Sequence, residues 1–202
     1  MPRQPRILEA NLVYHVYNRR TDRQLLFPAP RDFDEFLNLL EEGREQYNVR
    51  ICAYCVMNTH WHLAIWIREG DGATMAASFL RWLSACHALR FRYSSGTRGH
   101  GHVYQDRYKA KPVHCESHYL ILLRYIEANP LDAELVDAAE LWRWSSLYER
   151  LGDERRIIVP GPVSLPSDWK DIVNGASQFD DYQVVGDGGS ASGTEVRARG
   201  RR

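Results

Sequence analysis

Val56-Met57-Asn58-Thr59-His60-Trp61-His62-Leu63-Ala64-Ile65-Trp66 is an apolar, β-prone run interrupted by a polar pair and carrying two histidines one residue apart. A strand sends residues i and i+2 to one face. His60 and His62 therefore point together, and Trp61 points the opposite way, into packing. A His-x-His pair suits two half-buried strand histidines as well as it suits a shared metal ion, so the rest of the chain has to decide. Asn58-Thr59 fits a tight turn, which divides the region into strands over Val49–Met57 and His60–Ile67 and predicts a hairpin.

Upstream of that hairpin, Asn11-Leu12-Val13-Tyr14-His15-Val16-Tyr17-Asn18 is rich in β-branched and aromatic residues and ends at the polar Arg19–Arg23 segment, which predicts a first strand. Asp32 with Glu35 resembles a capping box, and Phe33, Phe36, Leu37 and Leu40 follow at helical spacing. Downstream, Met75, Phe79, Trp82, Cys86, Leu89 and Tyr93 alternate four and three apart, predicting a long helix with that stripe in the core. Arg107 to Val113 reads as a fourth strand. The order βαββαβ implies an α+β fold, a ferredoxin-like core with an antiparallel sheet and its helices on one face. An added helix is expected from His118 to Ala128, capped by Ser117 and ended by Pro130, with a shorter one over Trp144–Leu151. Residues 1–151 form the expected domain, 152–185 an irregular extension and 186–202 a disordered tail.

The 202 residues carry 26 Lys and Arg against 26 Asp and Glu, so net charge does not announce a nucleic-acid partner. Its distribution says more. Between Ala76 and Tyr125 stand Arg81, Arg90, Arg92, Arg98, Arg107, Lys109, Lys111 and Arg124, opposed only by Asp106 and Glu116, the kind of local basic run that phosphate binding requires. No apolar run approaches the roughly 20 residues of a bilayer span, no signal-type segment follows the N-terminal residues, and the four cysteines lack a disulfide-framework spacing. These features predict a cytoplasmic protein. Cys52 and Cys55 are set aside as partners of the histidines, because residues three apart on a regular strand face opposite ways.

On the added helix Tyr119, Leu122, Leu123 and Ile126 form the buried face by the 100° count, leaving His118, Tyr125 and Asn129 on its flank. Tyr125 and Asn129 lie one turn apart, so a phenol and an amide can serve one site. A tyrosine hydroxyl of ordinary pKa about 10 attacks a phosphodiester only with the help of a metal or a base. His60, His62 and an amide oxygen would make an open site for a divalent ion that polarises a phosphoryl oxygen. A tyrosine at the core edge is the plain alternative for Tyr125. Arg107, Lys109 and Lys111 alternate along the fourth strand about 7 Å apart, compatible with a row of phosphates and also with a solvated edge strand.

These segments resemble the single-tyrosine, His-hydrophobic-His transposases, and most closely the REP-associated tyrosine transposases. The likeness rests on Tyr14-His15-Val16 with Asn18-Arg19, Val56 to Leu63, Gly101-His102-Val103-Tyr104-Gln105-Asp106-Arg107, Arg124-Tyr125-Ile126-Glu127-Ala128-Asn129-Pro130 and Trp142-Arg143-Trp144-Ser145-Ser146, in the family's order over about residues 10–150. The resemblance implies a metal-dependent DNA endonuclease and strand transferase acting on single-stranded, hairpin-forming repeat DNA, as a monomer or homodimer associated with the bacterial nucleoid. It implies Tyr125 as the nucleophile that leaves a 5′-phosphotyrosine, His60, His62 and Asn129 as metal contacts for magnesium or manganese, and Arg107, Lys109, Lys111 and Arg124 as DNA contacts. Thr59 departs from the asparagine usual before the first histidine, and Asp132 from the arginine that often follows Asn-Pro. A domesticated hairpin-DNA-binding protein without transposase activity is the alternative, and a cupin-like all-β metalloenzyme a third class.

Overall fold

The computed structural model describes residues 8–21, 24–68, 73–97, 101–152 and 154–175. Asn58 and Thr59 turn the chain between β2 (Arg50–Met57) and β3 (His60–Ile67), and β3 pairs antiparallel with β1 (Leu12–Arg19) on its other side. β4 (Lys109–Val113) adds antiparallel to the free edge of β1, giving the order β2-β3-β1-β4. The all-β alternative ends here, because the strands alternate with long helices: α1 (Pro30–Tyr47), α2 (Ala73–Ser94) and α3 (Glu116–Asp132). Among the described residues no helix is long and apolar enough to cross a membrane.

α1 and α2 cover one face of the sheet. Trp61 is fully buried there against Phe36 of α1, their ring centroids 5.8 Å apart. The two helices approach closely at Gly43, where a Cβ would fall 2.5 Å from the Trp82 ring and 2.6 Å from Phe79, so only glycine admits the contact. α3 lies on the opposite face, followed by a 3-10 turn (Ala139–Leu141), α4 (Ser146–Arg150) and α5 (Trp169–Asn174). The extension expected to be irregular thus contributes a helix, while 176–202 lie outside the described residues.

Several local expectations are corrected. α1 begins at Pro30 with Ala29 as its N-cap residue, and Asp32 is its third residue, accepting the Ala29 N–H at 2.8 Å, so Asp32 takes the N3 place of a capping box and not the N-cap place expected with Glu35. The buried face of α2 is Ala76, Phe79, Leu80, Leu83, His87 and Phe91, whereas Leu89 and Tyr93 are each 70% exposed. This helix carries apolar residues nearly all round, so spacing alone could not choose its inner face. β4 starts at Lys109, leaving Arg107 in the preceding bend and out of the strand's alternation. α3 is preceded by Cys115 and runs straight through Pro130 to Asp132. The proline costs one backbone hydrogen bond, and the Asn129 side chain donates to the Tyr125 carbonyl at 3.3 Å beside the gap.

Candidate active site

The face of the sheet under α3 gathers the side chains that the pattern singled out. Cross-strand partners share a face, and the register sets Tyr17 opposite both His62 and Lys109, and His15 opposite Ala64 and Lys111. His60 and His62 stand with ring centroids 4.9 Å apart and planes perpendicular. Tyr125 descends from α3 edge-on to His62 at 5.5 Å and to His15 at 5.8 Å. Because Pro130 does not break the helix, Asn129 stays one turn beyond Tyr125, donating to its carbonyl at 3.3 Å, and its amide is near enough to bias the protonation of both His60 and Tyr125. Two imidazoles, a phenol and an amide therefore meet at one place.

Burial sets the electrostatics. It lowers the His62 pKa well below the ordinary imidazole value, helped by His60 and His15, and lowers His60 against an opposing hydrogen bond from Asn129. Burial, with the Lys111 charge, brings His15 to about 3. These rings are neutral at physiological pH and present lone pairs. Burial also raises the Tyr125 pKa, as does the charge of Asp132, while the Asn129 amide pulls it down. The phenol is therefore protonated at rest and needs help to become a nucleophile.

Each histidine of the pair has one nitrogen committed away from the centre. His60 Nδ1 meets Thr59 Oγ1 at 2.9 Å, so the threonine that replaces the usual asparagine gives the ring a partner. His62 Nδ1 meets His15 Nε2 at 2.9 Å, and His62 Nε2 is buried with no hydrogen-bond partner. An orphaned imidazole nitrogen beside a second imidazole and an amide oxygen fits a divalent cation. Among the described residues no three of His, Cys, Asp and Glu are grouped to hold a metal between them.

The basic residues divide. Lys109 and Lys111 lie on the site face at the sheet edge, with the Lys111 ammonium 5.9 Å from the Tyr17 ring. Arg107 is exposed just before the strand. Arg124 is not brought to the site: it is 9% exposed, and its guanidinium donates to the Ile172 and Gly175 carbonyls at 3.2 and 2.8 Å, holding α5 against α3.

Sequence reasoning gave no role to His15, Tyr17 or Glu127. His15 and Tyr17 alternate along β1 and reach the site only because β1 lies beside β3, which that alternation could have suggested once the strand order was known. Glu127 is fully buried and accepts from Ser146 Oγ, from Arg150 Nε at 2.9 Å and from Trp169 Nε1 at 2.6 Å. Its position four residues after Leu123, on the apolar face, was the available signal. The premise used for the cysteines fails as well. The register shifts between Ile51 and Ala53, and this bulge turns Cys52 toward Tyr119 of α3, on the same face as Cys55 beside His62.

Residues 9–129 match the family model described as Transposase IS200 like. Among solved structures the chain is similar to a REP-associated tyrosine transposase bound to a REP hairpin, at 18% identity over 83% of this chain and 95% of that one, with a TM-score of 0.58. A putative transposase from Deinococcus radiodurans aligns at 18% identity over 62% of this chain and 95% of that one, with a TM-score of 0.41. No curated protein sequence matches. At such identity the first likeness speaks for the fold.

Proposed function

Because this chain belongs to the IS200-like transposase family, we propose that it nicks single-stranded DNA at hairpin-forming repeats and transfers the strand through a covalent tyrosine ester. The observation that carries this reading is the Tyr125 ring edge-on to His62 at 5.5 Å, with the two imidazoles of His60 and His62 4.9 Å apart and Asn129 bonded to the Tyr125 carbonyl one turn on. The strand order, with β1 and β3 central, supports the ferredoxin-like assignment of the core.

In this reading Tyr125 Oη attacks the phosphorus of the scissile phosphodiester. An Oη–P bond forms, the P–O3′ bond breaks, the phenol gives up its proton and the departing oxygen gains one as a free 3′-hydroxyl. The DNA is left joined by its 5′ phosphate to the tyrosine, and a 3′-hydroxyl attacking that ester reverses the chemistry on a new strand. His60, His62 and Asn129 would hold magnesium or manganese, which when bound would polarise a phosphoryl oxygen and stabilise its developing charge. Asn129 keeps the phenol in register with the two imidazoles. Lys109 and Lys111, with Arg107 at the strand entrance, are the phosphate contacts that draw the DNA across the sheet edge. Such a protein would work on DNA in the cytoplasm.

Labelled single-stranded hairpins from the repeats flanking the gene, incubated with manganese and run on a denaturing gel, test the reading. A metal-dependent protein adduct that disappears in Tyr125→Phe and in His60→Ala is expected. Hairpin binding on a native gel with no adduct under any metal would instead favour a DNA-binding protein without strand-transfer activity.

A further inference from the structure

We propose that the Arg19 guanidinium binds the phosphate that Tyr125 attacks, from the His60 end of the histidine pair. This deepens the strand-transfer reading and rests on it. The register pairs Tyr17 with His62 and Arg19 with His60, and cross-strand partners share a face, so Arg19 continues the row of His15 and Tyr17 along β1. Its charge is felt at the His60 ring. Asn18, between Tyr17 and Arg19 in the chain, turns to the other face, where it is buried and donates to the Asp106 carbonyl at 3.2 Å.

What holds Arg19 is neutral. Its Nε–H donates to Gln105 Oε1 at 2.5 Å, and the Gln105 N–H donates in turn to the Arg19 carbonyl at 3.1 Å. The Gln105 segment is tied to the end of the strand on both sides: Arg20 bridges to Tyr104, and the Thr21 N–H reaches the Val103 carbonyl at 3.0 Å. Other arginines of the fold take carboxylates. Arg150 pairs with Glu127 at 2.9 Å, Arg143 with Asp34 at 3.5 Å, and Arg155 with Asp34 and Glu41 at 3.9 Å each. Arg19 is half-buried and, among the described residues, has an amide for its partner and no acidic one. An amide orients a guanidinium without neutralising it. With Nε occupied, the N–H groups of the two terminal nitrogens remain, the fork that matches two oxygens of a phosphate. Lys109 and Lys111 are point charges at the sheet edge, whereas Arg19 stands beside the histidines, where a phosphate has to come for Tyr125 to reach it. No bond is made or broken at Arg19. Its N–H groups hold two phosphoryl oxygens while the Oη–P bond replaces P–O3′, and they bind more strongly as charge gathers on those oxygens.

Two measurements test this. Single-turnover adduct formation on saturating hairpin DNA with manganese should slow about 10²–10³-fold in Arg19→Gln, and by less in Arg19→Lys, which keeps the charge and loses the fork. The second needs neither metal nor turnover. Methylphosphonates, which carry no charge, are placed one at a time along the strand beside the hairpin, and binding is measured without metal. In the wild type the substitution at the cleaved phosphate should weaken binding about 10-fold. In Arg19→Gln the same substitution should cost about twofold or less, while every other position keeps its wild-type penalty. An Arg19→Gln protein that shows the wild-type penalty at the cleaved phosphate overturns the proposal, and so does one that forms adduct within about threefold of the wild-type rate. A residue that only braces the strand against the Gln105 segment gives the first of those results. Should Arg19→Gln fail to fold, Arg19→Lys is put through the same scan. A wild type that forms no adduct refutes the strand-transfer reading instead, and the scan still judges Arg19: a position whose penalty disappears in Arg19→Gln keeps it as a phosphate contact, and the lack of any such position removes it.

Discussion

Each face of the sheet pairs a buried histidine with a tyrosine, and the two faces treat that pair differently. Under α1 and α2, the Tyr104 hydroxyl lies 2.7 Å from His87 Nδ1 and accepts the Trp61 Nε1–H at 3.0 Å. Donor meets acceptor along that chain, and Phe27, Phe36 and Phe91 surround the imidazole. Under α3, His62 has a partner on one nitrogen only, and Tyr125 is half-buried. An unsatisfied buried polar atom costs about 1–3 kcal/mol. Trp61 sits between His60 and His62 in sequence and belongs to the other face, so one strand serves both purposes at adjacent residues.

The sharpest way to break this contrast is to remove one hydroxyl from each face. Tyr125→Phe should abolish the DNA adduct, a loss of at least about 10³-fold, with little change in melting temperature. Tyr104→Phe should leave adduct formation within a few-fold but lower stability by about 1–3 kcal/mol in denaturant titration, since Trp61 and His87 both lose a partner. Equal effects of the two changes on cleavage would erase the distinction between the faces.

Glu127 shows that α3 also carries a satisfied network behind Tyr125. Its carboxylate meets three donors, and Arg150, which is one of them, also reaches the Cys52 carbonyl. Glu127→Gln should destabilise the protein by about 3 kcal/mol through the buried charge left on Arg150, read as a shift in the urea midpoint. An unchanged midpoint would mean that this network does not hold the helix.

The contrast extends to pH. Burial, helped by the Arg90 charge, lowers the His87 pKa to about 3 from an unfolded value of 6.5. The folded value is the lower one, so the unfolded chain takes up the proton first as pH falls. The stability is complete above pH 6.5 and is lost toward pH 3, at about 1.4 kcal/mol per pH unit. In His87→Met that portion of the slope should vanish from stability measured across pH 4–6.5, and a slope identical to wild type would argue against a buried neutral ring.

The smallest effect expected is electrostatic. Lys109→Ala and Lys111→Ala should each flatten the plot of log affinity against log salt by about 0.7 for single-stranded DNA. Arg124→Gln, whose parent side chain is turned onto α5, should lower stability while leaving that slope unchanged. A reduced slope in Arg124→Gln would return this residue to the DNA interface.

What could be read from sequence was what depends on near neighbours. β-Branched and aromatic content marked β1, an apolar β-prone run marked β3, Asn58-Thr59 marked the turn between β2 and β3, and the 100° count placed Tyr119, Leu122, Leu123 and Ile126 inside and Tyr125 at the edge. Those signals arise because strand and helix periods are properties of a few consecutive peptides. The bulge at Cys52, the passage of α3 through Pro130, the rotation of α2 and the withdrawal of Arg124 into α5 depend on what lies across the packing interface. His15 is the clearest case. Nothing within β1 gives it a task, and only the pairing of β1 with β3 brings its Nε2 to His62. The residue types of the site were legible in the chain; which nitrogen faces which partner was decided by tertiary structure, because hydrogen-bond satisfaction in a buried space is settled between segments distant in sequence.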